Sequence, residues 1–224
     1  MKIKLLISML LVSSVVCSQQ LPNDIIKTEY GSEYFPFDEK MELVFDSNIG
    51  ETTKQFRIEN DSFKVFNLAD KFQYIQTFAK LKNGVYLLRT EQNVDVLFLF
   101  SSRVNITYST PALQLPNPLI LGNEWKWEGL QIKNGDTTTI VIKGKVVAEE
   151  EIIVPAGKYK TLKVEMFIKD SGGEFSTVQQ WLAPNIGIVK LHATIEGSGI
   201  IQFAMSILGY DEINYELKEI KYLE

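Results

Sequence analysis

Strict two-residue alternation constrains this chain more than any other feature. In 161–169, Leu162, Val164, Met166 and Ile168 alternate with Lys163, Glu165 and Lys169; in 189–195, Val189, Leu191, Ala193 and Ile195 alternate with Lys190, His192 and Thr194. Residues two apart share a face only in an extended strand, so these segments read as strands with one wet and one dry face, the pattern of an antiparallel sheet. Similar short runs, each closed by Gly, Asn, Asp or Pro, recur from Lys40 onward, and no stretch sustains a capped 3.6-residue period. Strands are expected near 40–46, 52–59, 62–68, 71–79, 85–91, 94–100, 104–109, 124–132, 137–149, 159–169, 174–182, 186–196, 199–208 and 213–222. The expected fold is all-β: a single antiparallel, strongly curved sheet or half-open β-barrel with low helix content.

Turn chemistry supports that reading. Asn83-Gly84 and Asn134-Gly135 tolerate positive φ at both centres of a tight hairpin, and Asp170-Ser171-Gly172-Gly173 and Gly197-Ser198-Gly199 are expected as looser links. Val154-Pro155-Ala156-Gly157 fits a type I turn with proline second and glycine fourth. In the run 94–100, Val94, Val96, Phe98 and Phe100 fall on one face and Leu97 and Leu99 on the other, so a strand there would need cover on both sides.

The first eighteen residues carry an address. Lys2 and Lys4 precede an apolar run from Leu5 to Val16, which Cys17-Ser18 ends; this is the form of a secretory signal peptide, too short for a membrane-spanning helix. A lipoprotein signal also ends in cysteine, but Val16 and Ser14 hold the positions where it prefers a small residue and a leucine, so cleavage after Ser18 is favoured over lipidation of Cys17. Cleavage leaves 206 of the 224 residues and, with Lys2 and Lys4 gone, takes the formal charge from −5 to −7. A chain of that size buries roughly 70% of its unfolded surface without disulfides. Its negative balance, with no dense Lys/Arg cluster, argues against nucleic acid as a partner.

The expected organisation is a signal peptide over 1–18, an extended lead-in over 19–36 and an antiparallel β-domain over 37–224. A faint echo relates Met41-Glu42-Leu43-Val44 and Asn48–Thr53 to Trp125-Lys126-Trp127-Glu128 and Lys133–Thr138. It suggests two meander halves joined near 110–120, around Pro111, Pro116 and Pro118.

Reactive side chains are sparse. His192 is the one histidine, set on a polar strand face, and Cys17 leaves with the signal peptide, so no cysteine nucleophile and no soft-ligand cluster for zinc is expected. No catalytic residue, metal or cofactor is assigned. A hydrolytic acid and base pair could be drawn from Asp95, Glu149, Glu150, Glu151, Glu165 and Glu174, although the run 149–151 reads first as a solvated strand end. Aromatics, 11% of the chain, are the remaining signal. Phe98, Phe100, Trp125, Trp127, Trp181 and Phe203 are the candidate ligand-binding residues; the competing reading is that they fill the core or pair across strands.

Two segments, Val154-Pro155-Ala156-Gly157-Lys158-Tyr159-Lys160-Thr161-Leu162-Lys163-Val164 and Trp181-Leu182-Ala183-Pro184-Asn185-Ile186-Gly187-Ile188-Val189-Lys190, with Gly122-Asn123-Glu124-Trp125 upstream, resemble a group of uncharacterised exported bacterial proteins. That group is similar in architecture to the lipoprotein-carrier (LolA-like) half-barrel, whose concave apolar face shelters acyl chains. The resemblance implies a fold and, by analogy alone, a lipid or lipidated protein as ligand. The leading expectation is an exported, non-enzymatic envelope protein, periplasmic or extracellular, that binds an apolar or lipid-like ligand on a concave sheet face. The alternatives are an assembly module that docks another envelope protein and, further behind, a carboxylate-dependent polysaccharide hydrolase. The sequence does not assign an oligomeric state.

Overall fold

The computed structural model describes residues 33–59, 62–70, 72–96, 100–196 and 212–223, without the side chains of 72, 94–96, 100–102 and 195. Among the described residues, twelve strands follow one another around a closed antiparallel barrel: β1 (Met41–Ser47), β2 (Thr52–Glu59), β3 (Ser62–Ala69), β4 (Phe72–Leu81), β5 (Gly84–Val96), β6 (Phe100–Pro116), β7 (Glu124–Lys133), β8 (Asp136–Val154), β9 (Gly157–Asp170), β10 (Phe175–Ala183), β11 (Gly187–Glu196) and β12 (Glu212–Tyr222). The curved antiparallel sheet expected from the alternation is what forms, and it closes completely. β12 returns to β1 from Met41↔Tyr222 to Ser47↔Tyr215, with a bulge between Val44 and Phe45 that lets the seam bend. No helix occurs among the described residues.

Alternation assigns the two walls. On β9, Val164 and Met166 are buried while Glu165 and Phe167 face out, and on β7, Trp125 and Gln131 point inward while Glu124, Lys126 and Glu128 point outward. The outer wall bears ion pairs such as Lys126–Glu128 at 2.7 Å and Lys145–Glu124 at 2.6 Å, where a lipid-facing barrel would present an apolar band.

Several local expectations are corrected. β5 ends at Val96 and β6 begins at Phe100, and these two residues pair, so the run 94–100 is divided between two strands rather than forming one. Periodicity over a seven-residue run that is apolar but for Asp95, with no Gly, Pro or Asn, cannot separate a strand from the end of a hairpin. Pro111 and Pro116 lie within β6 instead of in a linker. Leu81 pairs with Gly84, so Lys82 and Asn83 are the turn centres there and the Asn-Gly dipeptide is offset by one residue. Asn134-Gly135 does sit at its turn, with φ of 52° and 100°, the mirror-image geometry that matches sheet twist. The signal peptide, residues 19–32, the strand expected over 199–208 and the Gly197-Ser198-Gly199 link lie outside the described residues.

The interior has two levels. At the end marked by the starts of β1 and β9, Leu43, Val146, Val164, Leu182, Val189 and Leu217 are essentially without solvent contact. Residues 33–37, which run from the lead-in into the domain, close this end. Phe37 stacks on Phe63 with centroids 4.4 Å apart, Phe35 meets Phe78 edge-on at 5.2 Å, and the Asn185 N–H donates to the Glu33 carbonyl at 2.7 Å. The turn at Pro155 and Ala156 joins in, the Ala156 N–H donating to the Leu217 carbonyl at 2.9 Å.

Trp125 and Trp127 are accommodated on the inner wall by glycines. A Cβ on Gly144, the cross-strand partner of Trp125, would lie 2.2 Å from the indole ring, and one on Gly129 would lie 2.5 Å from the Trp127 ring. Each ring occupies the volume that a side chain would otherwise take. Gly144→Ala should therefore cost about 1–3 kcal/mol through overpacking. Thermal melting would register this loss, and Trp125→Leu in the same chain should recover part of it, because the two sites share one space.

Candidate functional site

Away from the closed end the barrel is hollow. A cavity of about 360 Å³ lies among the inward residues of the other half of the strands, within the range of roughly 300–1,000 Å³ usual for small-molecule sites. Part of its wall is apolar: Leu87 on β5, Ile106 on β6, Ile140 and Ile142 on β8, Met166 and Ile168 on β9. The rest is polar, with Lys54 on β2, Asn67 on β3, Tyr74 on β4, Gln92 on β5, Tyr108 on β6, Gln131 on β7 and Tyr215 on β12. All lie on inward positions of their strands, so the mixture is built by sheet periodicity.

The charges of the wall differ in how they are compensated. Lys133 donates to both oxygens of Glu174, at 3.1 and 3.0 Å, and the Glu174 backbone N–H donates to Asp170 Oδ1 at 3.0 Å. These three residues hold the β9–β10 turn against β7. Lys54 has no such counterpart among the described residues. Its ammonium lies over the Phe45 ring, 5.3 Å from the centroid, and burial alone pulls its pKa from 10.5 to about 8. The tyrosines go the other way. Burial pushes Tyr215 up to about 12, with Tyr74 adding to the effect, and raises Tyr108 and Tyr74, against which the hydrogen bonds linking Tyr74 with Thr90 and Gln92 work only in part. Three neutral hydroxyls therefore face the cavity at any ordinary pH.

The six aromatic candidates are not gathered into one site. Trp125 and Trp127 share the inner wall of β7, the latter in an edge-on contact with Tyr108 at 5.8 Å, but both rings pack over glycines and neither contributes to the described cavity lining. Trp181 lies on the outer wall between its cross-strand neighbours, with Lys163 and Lys190 at 5.0 and 5.6 Å from its ring, and its indole N–H donates to Glu150 Oε1 at 2.6 Å. Phe98, Phe203 and the side chain of Phe100 lie outside the described residues. Lys54, Tyr74, Tyr108 and Tyr215 were not anticipated as lining residues. A signal existed for two of them, since Lys54 is in phase with buried Phe56 and Tyr108 with buried Val104 and Ile106.

The carboxylates considered for hydrolysis are dispersed. Glu165 is on the outer wall, held by Gln179 at 3.0 Å; Glu150 is taken by Trp181 and Glu151 by Lys158 near the end of β8; Glu174 belongs to the cavity. A second concavity, shallow and about 870 Å³, runs over the outer wall from β7 to β11 and includes Lys126, Lys143, Phe167 and His192. Much of its charge is already satisfied, by Lys145 with Glu124 and by Gln179 with Glu165.

This geometry can be set beside known proteins. Residues 91–194 match the DUF3108-like family. The matched stretch runs from β5 to β11 and contains the Val154–Val164 and Trp181–Lys190 motifs, so the resemblance read from the sequence stands. Among solved structures, a candidate lipoprotein of Parabacteroides distasonis aligns at 13% identity over 86% of this chain and 100% of its own, with a TM-score of 0.46. A candidate exported protein of Bacteroides fragilis with a YmcC-like fold aligns at 15% identity over 84% and 98%, TM-score 0.41. The hypothetical lipoprotein YmcC of Escherichia coli aligns at 9% identity over 85% and 90%, TM-score 0.42. A search of curated proteins gave no significant match.

The buried amine has a measurable consequence. Between pH 8 and 10.5 the unfolded chain keeps the Lys54 proton while the folded chain has lost it, so this residue makes stability rise with pH across that window. Below pH 8 its penalty is fully present, up to about 3 kcal/mol. Lys54→Met should raise the melting temperature at pH 7 and flatten the pH dependence of stability between pH 8 and 10.5, as followed by chemical denaturation.

Proposed function

We propose that this protein is an exported, non-enzymatic binding protein of the cell envelope that holds a lipid-like, amphipathic ligand inside its barrel. The observation that carries the reading is the two-level interior. The same sheet that packs solidly around Leu43, Val164 and Leu182 leaves about 360 Å³ open beside Ile106, Ile140 and Ile142. Inward residues large enough to fill a small barrel are available at such positions, yet the space is lined by glutamines and tyrosines around an apolar floor. Export is supported by the signal-peptide form of residues 1–18. A non-catalytic role is supported by the structural duties already held by Glu174 and Asp170, two of the three carboxylates that line the cavity.

A docking module for an envelope protein is the second reading, favoured by the outer groove around Phe167, which is 38% exposed. The unfilled interior gives the cavity precedence.

The test is to purify the full-length protein from envelope fractions, identify co-purified lipid by mass spectrometry, and titrate the delipidated protein with N-phenyl-1-naphthylamine. Dye enhancement that decanoate displaces is expected. Ala193→Trp on β11 and Ser176→Phe on β10, both filling the cavity, should weaken dye binding by about tenfold or more while each variant keeps its β circular dichroism. No dye binding to the unaltered protein, or unchanged binding in both folded variants, would overturn the reading.

A further inference from the structure

Lys54 stands out as a charge that the fold does not use. The carboxylates near it in sequence are turned to the outer wall and engaged there: Glu51 with Lys218 at 2.7 Å, Asp46 with the same lysine at 3.5 Å, and Glu42 with Gln55 at 2.6 Å. Within the cavity, Glu174 is held by Lys133, Asp170 accepts the Glu174 N–H, and Glu196 is exposed at the end of β11. Uncharged groups make up the wall on either side, with Asn67 opposite Lys54 on β3 and Phe45 beneath its ammonium. An ammonium taken from water without a counter-ion is costly, and a methionine would fill the same volume without that cost.

We propose that Lys54 is the anchor for the anionic head of the cavity's ligand, and that this ligand is a single-chain carboxylate amphiphile whose tail lies against Ile106, Ile140 and Ile142. This deepens the cavity-binding reading above and rests on it. A carboxylate would give Lys54 its missing partner in a low-dielectric setting, where such a pair is far stronger than at the surface. The volume of about 360 Å³ suits one acyl chain of medium length and not a two-chain lipid. The donor set points the same way. One compact ammonium accompanied by neutral tyrosine hydroxyls and glutamine amides suits a singly charged head, whereas phosphate is the partner of guanidinium forks or clustered cations.

Isothermal titration of the delipidated full-length protein at pH 7 tests this with dodecanoate, dodecanol, and acetate or inorganic phosphate alone. Dodecanoate should bind about tenfold or more tightly than dodecanol, and the small anions should bind far more weakly than either. Lys54→Met should abolish the preference by weakening dodecanoate while leaving dodecanol unchanged, and Lys54→Arg should keep most of it. Equal binding of dodecanoate and dodecanol to the unaltered protein, or an unaltered preference in Lys54→Met, would overturn the anchor role while leaving the cavity reading intact. Competition by acetate or phosphate at concentrations near the dodecanoate Kd would replace it with a free-anion site. Failure of both chain compounds to bind would instead remove the cavity reading itself.

Discussion

The seam between β1 and β12 is the pairing on which the rest of the molecule depends. Among the described strands, eleven of the twelve pairings join sequence neighbours, but the twelfth joins Met41–Ser47 to residues 168 to 181 positions later. Without it the sheet would have two unpaired edges and its inner wall would be open to water. With it, the inward residues are enclosed, and the low dielectric that pushes Tyr215 up and pulls Lys54 down becomes possible. The register shift in this seam leaves Lys218 of β12 unpaired, and beside it Phe45, in phase with Leu43, lies beneath the Lys54 ammonium and beside Tyr215, 6.0 Å between ring centroids. Closure and cavity electrostatics thus share a residue.

The same wall serves two purposes along its length. Near the lead-in the residues are branched or aromatic and leave little space, with Phe35 and Phe37 set across the opening and Trp125 and Trp127 spread over Gly144 and Gly129. Further along, the inward positions pass to Asn67, Tyr74, Gln92 and Gln131, which cannot pack as densely without losing hydrogen-bond partners. Solid packing at one level supports an incompletely filled level at the other. The densely packed level thus fixes the strands whose continuations surround the open one.

Much of the architecture was legible because period-two alternation reports directly on strand faces, as on β9 with Lys163, Glu165 and Lys169 outward. The failures were local. Val96–Phe100 lacks the residues that mark a turn, and Asn83-Gly84 resembles a tight-turn pair although the hairpin is centred one position earlier. Closure was not legible, since pairing between the first and last strands leaves no mark on either one. The aromatic signal was real but did not separate roles: the face of Trp181 follows from its phase with Gln179 and Thr177, yet its neighbours Lys163 and Lys190 come from other strands. Lys54 was the harder case. A lysine in a strand is ordinarily read as an outward marker, and its inward placement shows only in its phase with Thr52 and Phe56.

The seam also imposes an order on assembly. Until Glu212–Tyr222 has emerged, β1 and β11 can only be the margins of an open sheet, and the residues that will line the hollow are exposed to whatever surrounds the chain. Closing a loop of this length is slow compared with forming the hairpins between neighbours. The inner wall is therefore the last surface of the molecule to be covered, and it is covered in one step as the final strand zips into place.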